Sequence, residues 1–249
     1  MTDCTISRPI RLDHSKDTEV YQPSAWALKW FDSRHRLFLR LLNKLHSMWI
    51  RHVYPFAGIG EKVSVHYSAD VRNPWLIRLG NSVMVDKDVW LHPVFPGEPK
   101  DGPTIVLDDN CFIARRCQIS ARNRVHIERD VLLSASVLIT DNSHAYENPG
   151  VAIKYQGFMK GGRVRIGEGC WIGHGAAIVC TQGELVLGRN CVVAANALIT
   201  RSYPPYSIIS GNPARIVRQF DPVKNAWVLG SSVAKPDTSE KSRAENVVA

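Results

Sequence analysis

One histidine stands where this sequence could carry out proton transfer. His144 ends the six-residue segment 139–144, ITDNSH, and a long stretch without the surrounding sequence pattern follows it. Histidine is the side chain whose ordinary pKa lies closest to neutral pH, so it can remove a proton and return it. A solvent-facing histidine at a turn would give the same pattern, and both interpretations stay open on the residues alone.

The segment that ends at His144 is one unit of a six-residue repeat. Between residues 164 and 202 an aliphatic residue returns at every sixth position, as in Ile166, Ile172 and Ile178. Leu187, Val193 and Ile199 form the next set. The fourth positions of the hexads in these two sets hold Cys170, Ala176, Cys191, Ala197 and, at the last, Tyr203. Each hexad predicts one short strand that turns its aliphatic and fourth residues inward and ends in a tight corner. Three hexads make one triangular coil of an all-β solenoid.

The same period can be traced upstream, in frames that start at Leu79, Leu107 and Ile127. Because Ile127 lies twenty positions after Leu107, one coil consists of three hexads and two corner residues. Two insertions, residues 93–102 and 145–162, break the pattern. An insertion must loop out of the stack of coils, and long ordered loops are usually functional.

Composition and charge narrow the function classes. Hydrophobic residues make up 45% of the 249 residues and charged residues 22%, as in ordinary soluble proteins. No apolar run approaches the roughly 20 residues of a membrane span, and residues 1–16 do not resemble a signal peptide, which predicts a cytoplasmic protein. Residues 34–60 contain five basic and no acidic residues. Such a stretch can bind nucleic acid, a membrane surface or an anionic substrate, and since no nucleic-acid motif accompanies it, we expect no nucleic-acid partner.

Four of the six cysteines share one position of the repeat. Cys111, Cys117, Cys170 and Cys191 all fall at fourth positions of their hexads. Free cysteine is among the most buried residue types, so we interpret these four as small core residues. No CxxC pair is present, and we expect no metal site.

The segments outside the repeat predict a helix before it and a cover after it. From about residue 24 to residue 52 apolar residues recur at spacings of three and four, and residues 214–228 should return over the coils as a short helix or strand. These limits divide the chain into an N-terminal extension (1–55), a β-helix domain (56–228) and a disordered tail (229–249).

The N-terminal helix has two interpretations. It could cap the open end of the solenoid, in which case Phe38, Leu41, Leu45 and Trp49 pack on the first coil. It could instead lie on the inner membrane surface, with its basic residues on the polar face.

The repeat and three motifs together resemble the hexapeptide-repeat O-acetyltransferases. The motifs are Asn142-Ser143-His144 before an insertion, Trp171-Ile172-Gly173, and the ending 204–215, from PPYS to GNPAR. The resemblance covers roughly residues 56–220 and points to the branch with maltose, galactoside, nodulation-factor and colanic-acid acetyltransferases. It implies a left-handed parallel β-helix, a homotrimer with active sites in the clefts between subunits, and acetyl-CoA as co-substrate.

The resemblance also assigns residues. It implies that His144 is the catalytic base; Asp141 and Glu147 are the nearest acids in sequence that could orient its ring. It places acetyl-CoA along the C-terminal coils, near Trp171, Gly173, His174, Ala195, Thr200, Arg201, Arg215 and Arg218. The three arginines could bind the nucleotide phosphates through charge-assisted hydrogen bonds, or could form a solvated basic face.

The acceptor pocket departs from the family pattern. Galactoside-type members bind the sugar through an asparagine and an aspartate, and the corresponding positions hold Ala114 and Arg122. We take Asn142, Arg115 and Arg122 as candidate substrate-binding residues. The basic side chains of this region would suit an acceptor with a carboxylate or phosphate, or would face solvent: Arg115, Arg116, Arg122, Arg124 and Arg129.

These observations predict an acetyl-CoA-dependent O-acetyltransferase. The expected acceptor is a sugar hydroxyl in a surface polysaccharide or a lipid-linked glycan. Acetylation of an antibiotic or other xenobiotic is a second enzymatic interpretation. A trimeric scaffold that has lost its chemistry is the third, and the intact histidine and GNPAR segment disfavour it.

Overall fold

Short strands follow one another along the chain in sets of three, as the six-residue repeat predicts. The computed structural model describes residues 36–94 and 102–229. The predicted disordered tail lies outside these ranges, as do the helical pattern before residue 36 and most of the first insertion; Leu229, predicted to begin the tail, still belongs to a strand. The chain divides into two compact units, Met1–Arg40 and Leu41–Ala249.

The elements are short throughout the repeat. A single helix, α1 (Arg36–Val53), precedes the strands in the described part of the chain. The first strands are β1 (Gly58–Ile59), β2 (Ser64–Val65), β3 (Asp70–Val71), β4 (Ile77–Leu79), β5 (Met84–Val85), β6 (Trp90–Pro93) and β7 (Ile105–Leu107). The next are β8 (Phe112–Ile113), β9 (Gln118–Ala121), β10 (Arg124–Ile127), β11 (Leu132–Leu133), β12 (Leu138–Thr140), β13 (Gly161–Ile166) and β14 (Trp171–Ile172). The last are β15 (Ala177–Val179), β16 (Gln182–Leu187), β17 (Val192–Val193), β18 (Leu198–Ile199), β19 (Ser207–Gly211), β20 (Ala214–Asp221) and β21 (Ala226–Leu229).

Every third strand joins the same sheet, so the repeat builds a triangular β-helix. The first sheet has the order β1-β4-β7-β10-β13-β16, the second β2-β5-β8-β11-β14-β17-β19-β20-β21, and the third β3-β6-β9-β12-β15-β18. All pairs up to β19 are parallel, and one coil stacks on the next in register, as where Ile127 pairs with Leu107 and Ile166. We call the turn from the first to the second sheet the first corner, the next turn the second corner, and the return to the first sheet the third corner. The predicted fold is confirmed.

The core is a stack of the inward residues of the hexads. Ile127, Ile166 and Leu187, each from one coil of the first sheet, are fully buried, and stacking of neighbouring coils is what removes such residues from water. The four cysteines at fourth positions are buried as well. Each donates its S–H to a backbone carbonyl, as Cys111 does to Glu128 at 3.0 Å, and burial raises the pKa of the Cys111 thiol to about 12. The interpretation of these cysteines as core residues holds.

Helix α1 covers the exposed edge of the second sheet, but not with the side chains expected of a cap. Ser47 accepts a hydrogen bond from the Val65 N–H at 3.2 Å, and His46 Nδ1 lies 3.1 Å from the Val65 carbonyl. These contacts satisfy edge-strand groups that would otherwise lack partners, and Ile50 is buried beside them.

The expectation that Leu41, Leu45 and Trp49 pack on the first coil is wrong, because each of these side chains is more than half exposed. Phe38, the fourth residue of that expectation, belongs to the first unit and is exposed there. The physical reason is that the polar side of the helix is needed to bond the open strand edge, which turns most of the apolar side outward.

The other end of the coils is closed by antiparallel strands. β19 still pairs in parallel with β17, whereas β20 pairs antiparallel with β19 and β21 antiparallel with β20. Residues 214–229 thus return over the last coil as strands, which is one of the two predicted forms.

Candidate active site

His144 lies at the third corner, directly after β12, where the chain leaves the stack. The loop 145–160 returns to the corner at the start of β13. Its two ends are tied together: the Ala145 N–H donates to the Gly157 carbonyl at 3.0 Å, and the Met159 N–H donates to the Ser143 carbonyl at 2.9 Å. His144 and Phe158 form an antiparallel bridge between these bonds, so the backbone of the histidine is fixed.

The imidazole ring is held by an aromatic ring. The ring centroids of His144 and Phe158 are 4.7 Å apart and their planes differ by 24°. The His144 side chain is exposed, and neither of its ring nitrogens has a hydrogen-bond partner within the described ranges. A stacked but otherwise uncommitted imidazole has both nitrogens available for a substrate hydroxyl or a leaving group.

The two acids nearest in sequence do not orient this ring. The Asp141 carboxylate is buried and accepts the backbone N–H groups of Arg122, Asn123 and Arg124 at 2.6, 2.8 and 2.8 Å. Burial raises the pKa of Asp141, against the opposing effect of these hydrogen bonds. Glu147 is exposed in the loop. Asp141 therefore shapes the third corner one coil earlier, and the contact that fixes the histidine is Phe158.

Asn142 is positioned beside the histidine by the preceding coil. Its Nδ2 donates to both the carbonyl and the hydroxyl oxygen of Ser120 at 3.1 Å. The amide is half-buried at the same corner as His144, so it is a fixed polar group next to the exposed ring.

The residues expected to bind acetyl-CoA fall on separate parts of one protomer. Gly173, His174 and Ala195 lie at the second corner of two successive coils, where the Gly173 N–H donates to the Val193 carbonyl at 2.8 Å. A Cβ on Gly173 would lie 2.7 Å from the Ala195 nitrogen, so only glycine permits this stacking. Trp171 is exposed on the second sheet, with its Nε1–H donated to the Ser134 hydroxyl at 2.9 Å.

The structure brings two of the three predicted arginines together. Arg201 donates from Nε to the Tyr203 hydroxyl at 3.3 Å, and that hydroxyl donates to the Ala214 carbonyl at 2.7 Å. Arg215 donates to the same carbonyl at 2.8 Å. The two guanidinium groups therefore meet around Tyr203, with Thr200 directly before Arg201 at the third corner. Arg218 is exposed further along β20.

The basic region of the middle coils is not one patch. Arg115 and Arg116 lie at the second corner, Arg122 at the third, Arg124 on β10, and Arg129 at the first corner. Arg129 there forms an ion pair with Glu168 at 2.9 Å. Arg115 and Arg122 flank the two ends of β9 in the third sheet, below the coil that carries His144.

Comparisons with known proteins agree with this geometry. No protein-family model matches the chain. The chain is 25% identical over 130 residues to the candidate lipopolysaccharide biosynthesis O-acetyl transferase WbbJ of Escherichia coli. The matched segment covers 49% of this chain and 64% of WbbJ. It is 32% identical over 110 residues to the candidate acetyltransferase Rv3034c of Mycobacterium tuberculosis, covering 44% of this chain and 35% of the relative. Over about half of its length the chain is thus similar in sequence to candidate acetyltransferases.

A solved structure shares the fold of this chain. A point mutant of AntD, an N-acyltransferase from Bacillus cereus in complex with dTDP and coenzyme A, superposes with a TM-score of 0.58 at 18% identity, over 72% of this chain and 90% of AntD. The chain spans between about a third and just under two thirds of the length of the curated relatives compared above.

Two residues of this site were not predicted from the sequence. Phe158 lies fourteen positions after His144 in an insertion without periodicity, so its stacking depends on how the loop returns. Ser134 was missed although its register position could have identified it: Leu133 pairs with Ile172, which places Ser134 one coil below Gly173, close to the Trp171 indole.

Within residues 36–94 and 102–229, no group of three or more His, Cys, Asp and Glu side chains is arranged to hold a metal ion. No helix in that same part of the chain is both long and apolar enough to cross a bilayer.

Proposed function

We propose that the protein transfers an acetyl group from acetyl-CoA to a carbohydrate hydroxyl, with His144 as the general base. The observation that carries the proposal is the presentation of His144. Its backbone is fixed by the ties across the loop, its ring is stacked on Phe158, and its nitrogens point to no protein partner in the described chain. A structural histidine would be expected to donate to a neighbouring acceptor, as His126 does with Asp108.

The acetyl group passes directly from coenzyme A to the acceptor hydroxyl. A ring nitrogen of His144 takes the proton of the acceptor hydroxyl while the hydroxyl oxygen attacks the thioester carbonyl carbon. The resulting oxyanion needs a donor, and a backbone N–H of a coil corner is the candidate. The C–S bond then breaks and the imidazolium gives its proton to the leaving thiolate. The products are the acetyl ester and coenzyme A with a free thiol, and His144 is again neutral.

Acetyl-CoA would bind along the C-terminal coils. The Arg201 and Arg215 pair offers two guanidinium groups at one place, which suits the phosphates of the nucleotide. Trp171, Gly173, His174 and Ala195 offer a flat surface of small and aromatic groups for the pantetheine arm. AntD was crystallised with coenzyme A, which supports the choice of cofactor.

A homotrimer would complete the site. His144 is at the third corner, whereas Gly173, His174 and Ala195 are at the second corner, on the other edge of the third sheet. A cleft between two copies can join the third corner of one protomer to the second corner of its neighbour. Three flat faces arranged around a threefold axis would form three such clefts.

The acceptor class is suggested by WbbJ, whose name refers to lipopolysaccharide biosynthesis. We infer a sugar of a surface polysaccharide or lipid-linked glycan, and a cytoplasmic enzyme that contacts the inner membrane surface through α1. From Leu41 onward the outward apolar side chains of this helix are 38–57% exposed. With Lys44 exposed on the same helix and no acidic residue in the helix, this surface suits an anionic bilayer.

The proposal gives each of the two predicted segments of the chain its own role. Residues 1–55 form the extension for membrane contact, and residues 56–228 form the catalytic domain. No observation on the molecule favours an antibiotic over a sugar, so that alternative is an outcome of the test below.

The test combines two inactive variants. His144→Ala removes the base, and Ala195→Trp fills the proposed cofactor surface at an exposed position. Each should be inactive alone, with trimer size unchanged by light scattering. Unfolding and refolding them together should restore activity, because mixed trimers contain clefts with an intact half from each protomer.

Recovery of activity supports the shared site. Activity of either variant alone would overturn the corresponding assignment, and absence of recovery in mixed trimers would overturn the shared cleft. Absence of coenzyme A release by wild-type protein with any sugar, together with turnover of an antibiotic acceptor, would favour the xenobiotic enzyme. No response of the melting temperature to acetyl-CoA would favour the inactive scaffold.

A further inference from the structure

A second cleft lies on the third sheet, two coils before the one that carries His144. It has a volume of about 390 Å³ and is lined by Ser68, Asp70, Arg72, Asp88, Val89 and Trp90. It spans β3 and β6, the first two strands of the sheet. Because His144 follows β12 of the same sheet, the cleft and the histidine share one face of the molecule.

The cleft contains an outward-facing aromatic ring. Trp90 and His92 alternate with the buried Leu91 and Pro93 along β6, so both rings face outward from the sheet. Their centroids are 4.6 Å apart, with the planes inclined by 32°. Burial lowers the pKa of His92, and Arg72 acts in the same direction, so His92 is a neutral ring that supports one side of the indole. Trp90 is thereby fixed as a half-exposed platform.

Polar side chains connect this platform to His144. Trp90 pairs with Gln118, and His92 pairs with Ser120, on the next strand. Thr140 pairs with Ser120 on the strand after that, and Asn142 donates to the Ser120 hydroxyl. Two strand steps of about 4.8 Å lead from Trp90 to Leu138, its match in register on β12. His144 lies at the third corner, beyond the end of β12, so at about 3.3 Å per residue the path to it is roughly 15 Å or more, the scale of three linked sugar rings. The path offers hydroxyl and amide groups.

The charges of the cleft select against an anionic occupant. Asp70 and Asp88 contribute two carboxylates, and Arg72 contributes one guanidinium that is already bonded to Asp70 at 3.1 Å. Carboxylates accept hydrogen bonds from hydroxyl groups but repel carboxylates and phosphates. The arginines of the middle coils are compatible with an acidic acceptor or with a solvated face, whereas this cleft favours a neutral occupant.

We propose that the third sheet from Trp90 to His144 is an acceptor-binding track for a neutral glycan of at least three sugars. The sugar to be acetylated lies at His144, and a sugar further along the glycan lies flat on the Trp90 indole, with its hydroxyls donated to Asp70 and Asp88. Aromatic anchors in clefts contribute large shares of binding energy, so this remote sugar sets the specificity of the enzyme. The proposal rests on the proposed function for the sugar at His144, whereas the Trp90 site is tested without turnover.

The experiment measures binding to full-length His144→Ala protein, which cannot transfer acetyl groups under the proposed mechanism. The probes are neutral gluco-, galacto- and manno-oligosaccharides of one to four sugars, titrated by calorimetry. We expect at least one series to bind more tightly once the glycan is long enough to reach from His144 to Trp90, at about three sugars. Adding Trp90→Ala should lower the affinity for that oligosaccharide about tenfold or more and leave the monosaccharide nearly unaffected, whereas Trp90→Phe should retain most of the affinity.

Two further variants separate recognition from folding. Trp227→Ala removes another exposed indole, on β21 of the second sheet, and should not change binding of the glycans. Asp70→Asn should raise the affinity for oligosaccharides that contain a uronic acid, an effect that loss of stability cannot produce. This second readout also decides the question if Trp90→Ala melts early.

Absence of any gain in affinity as the glycan lengthens from one to four sugars, or a gain that survives Trp90→Ala, overturns the track. Preference of the starting protein for uronic acid oligosaccharides overturns it as well. If wild-type protein shows no acetyl transfer but the Trp90-dependent gain is present, the binding site stands and the proposed function fails.

Discussion

The first and the third corners of the β-helix differ in their chemistry. The first corner contains a cleft of about 370 Å³ whose ionisable side chains are Asp108, Asp109, His126, Glu128, Arg129 and Glu168. Most of them are paired with one another or with Arg78 and Arg165 of the first sheet, as where His126 Nε2 lies 2.7 Å from Asp108. The third corner carries a loop and an exposed histidine whose ring nitrogens are bonded to nothing in the described chain.

A high density of ionisable groups is therefore a poor guide to the active site. At the first corner the acids and bases of successive coils satisfy one another, so their charges hold the stack together. At the third corner the carboxylate of Asp141 is buried in the backbone, and the one ionisable ring nearby is left for a substrate. A cleft becomes a candidate for chemistry when its groups lack partners, which is the state of His144.

The largest expected effect distinguishes the two histidines. His144→Ala should lower the rate of acetyl transfer by about 10²–10⁴-fold, the usual contribution of a general base, with acetyl-CoA binding unchanged. His126→Ala, at the first corner, should leave the rate nearly unchanged because its ring is already paired with Asp108. Coenzyme A release with a thiol reagent measures both rates. Equal losses in the two variants would remove the distinction between the corners.

The next effect concerns the buried carboxylate of the third corner. Asp141→Ala leaves the N–H groups of Arg122, Asn123 and Arg124 without their acceptor, and we expect a loss of about 3–5 kcal/mol in the free energy of unfolding. Glu168→Ala at the first corner breaks a solvent-exposed pair with Arg129 and should have a much smaller effect. Urea denaturation of both variants gives the comparison; a larger loss for Glu168→Ala would reverse the assignment of the two acids.

Glycine substitutions probe the packing of the same two regions. A Cβ on Gly167, at the first corner, would lie 2.7 Å from the Arg189 nitrogen and 2.8 Å from the Leu187 carbonyl oxygen. Gly167→Ala should therefore destabilise the fold by about 2–3 kcal/mol. Gly157 in the loop has φ of +78° and open space around it, so Gly157→Ala should cost only about 1 kcal/mol of backbone strain. Similar melting temperatures for the two variants would contradict the tight stacking at the first corner.

The smallest effect is on the pH dependence of stability, to which Glu128 and Asp141 contribute in opposite directions. Burial acts to raise the pKa of Glu128, but the bonds from Arg165 and the Glu168 N–H outweigh it, and the pKa is lowered. Its contribution to stability is therefore complete above the ordinary value of 4.5 and is lost as pH falls through the lowered folded-state pKa. The pKa of Asp141 is raised, so its contribution is lost as pH rises from its ordinary 3.8 through the higher folded-state value.

Unfolding free energies measured across this acidic range should show the difference. Glu128→Gln should make stability depend less on pH at the acidic end. A steeper loss of stability on acidification in Glu128→Gln would show that the carboxylate is not stabilised in the folded state.

Much of this fold can be predicted from the sequence because the repeat is periodic. The inward positions, the cysteines in the core and the place of His144 all follow from counting hexads. The same counting explains the arginines in retrospect: Arg115, Arg122 and Arg129 are seven positions apart, about a third of a coil, so they fall on successive corners instead of forming one basic patch.

Two features could not be predicted in this way. The stacking of Phe158 on His144 depends on the return path of a loop that has no period. The orientation of α1 depends on which of its sides can bond the edge of β2, and the apolar spacing reports only that one side is apolar. Periodicity fixes positions within the stack, and it says nothing of groups that approach from outside it.

The antiparallel strands at the C-terminal end bear on the behaviour of the protein at high concentration. A parallel β-helix that stopped after β17 would present a bare strand edge in the same direction as every coil before it, and another molecule could add to it end to end. β20 runs against β19 and β21 runs against β20, so the outer strand of the second sheet belongs to an antiparallel ribbon and not to a coil. An added coil would meet this ribbon in place of a stacked hexad, which opposes end-to-end growth and is separate from any role of Arg215 and Arg218 in binding.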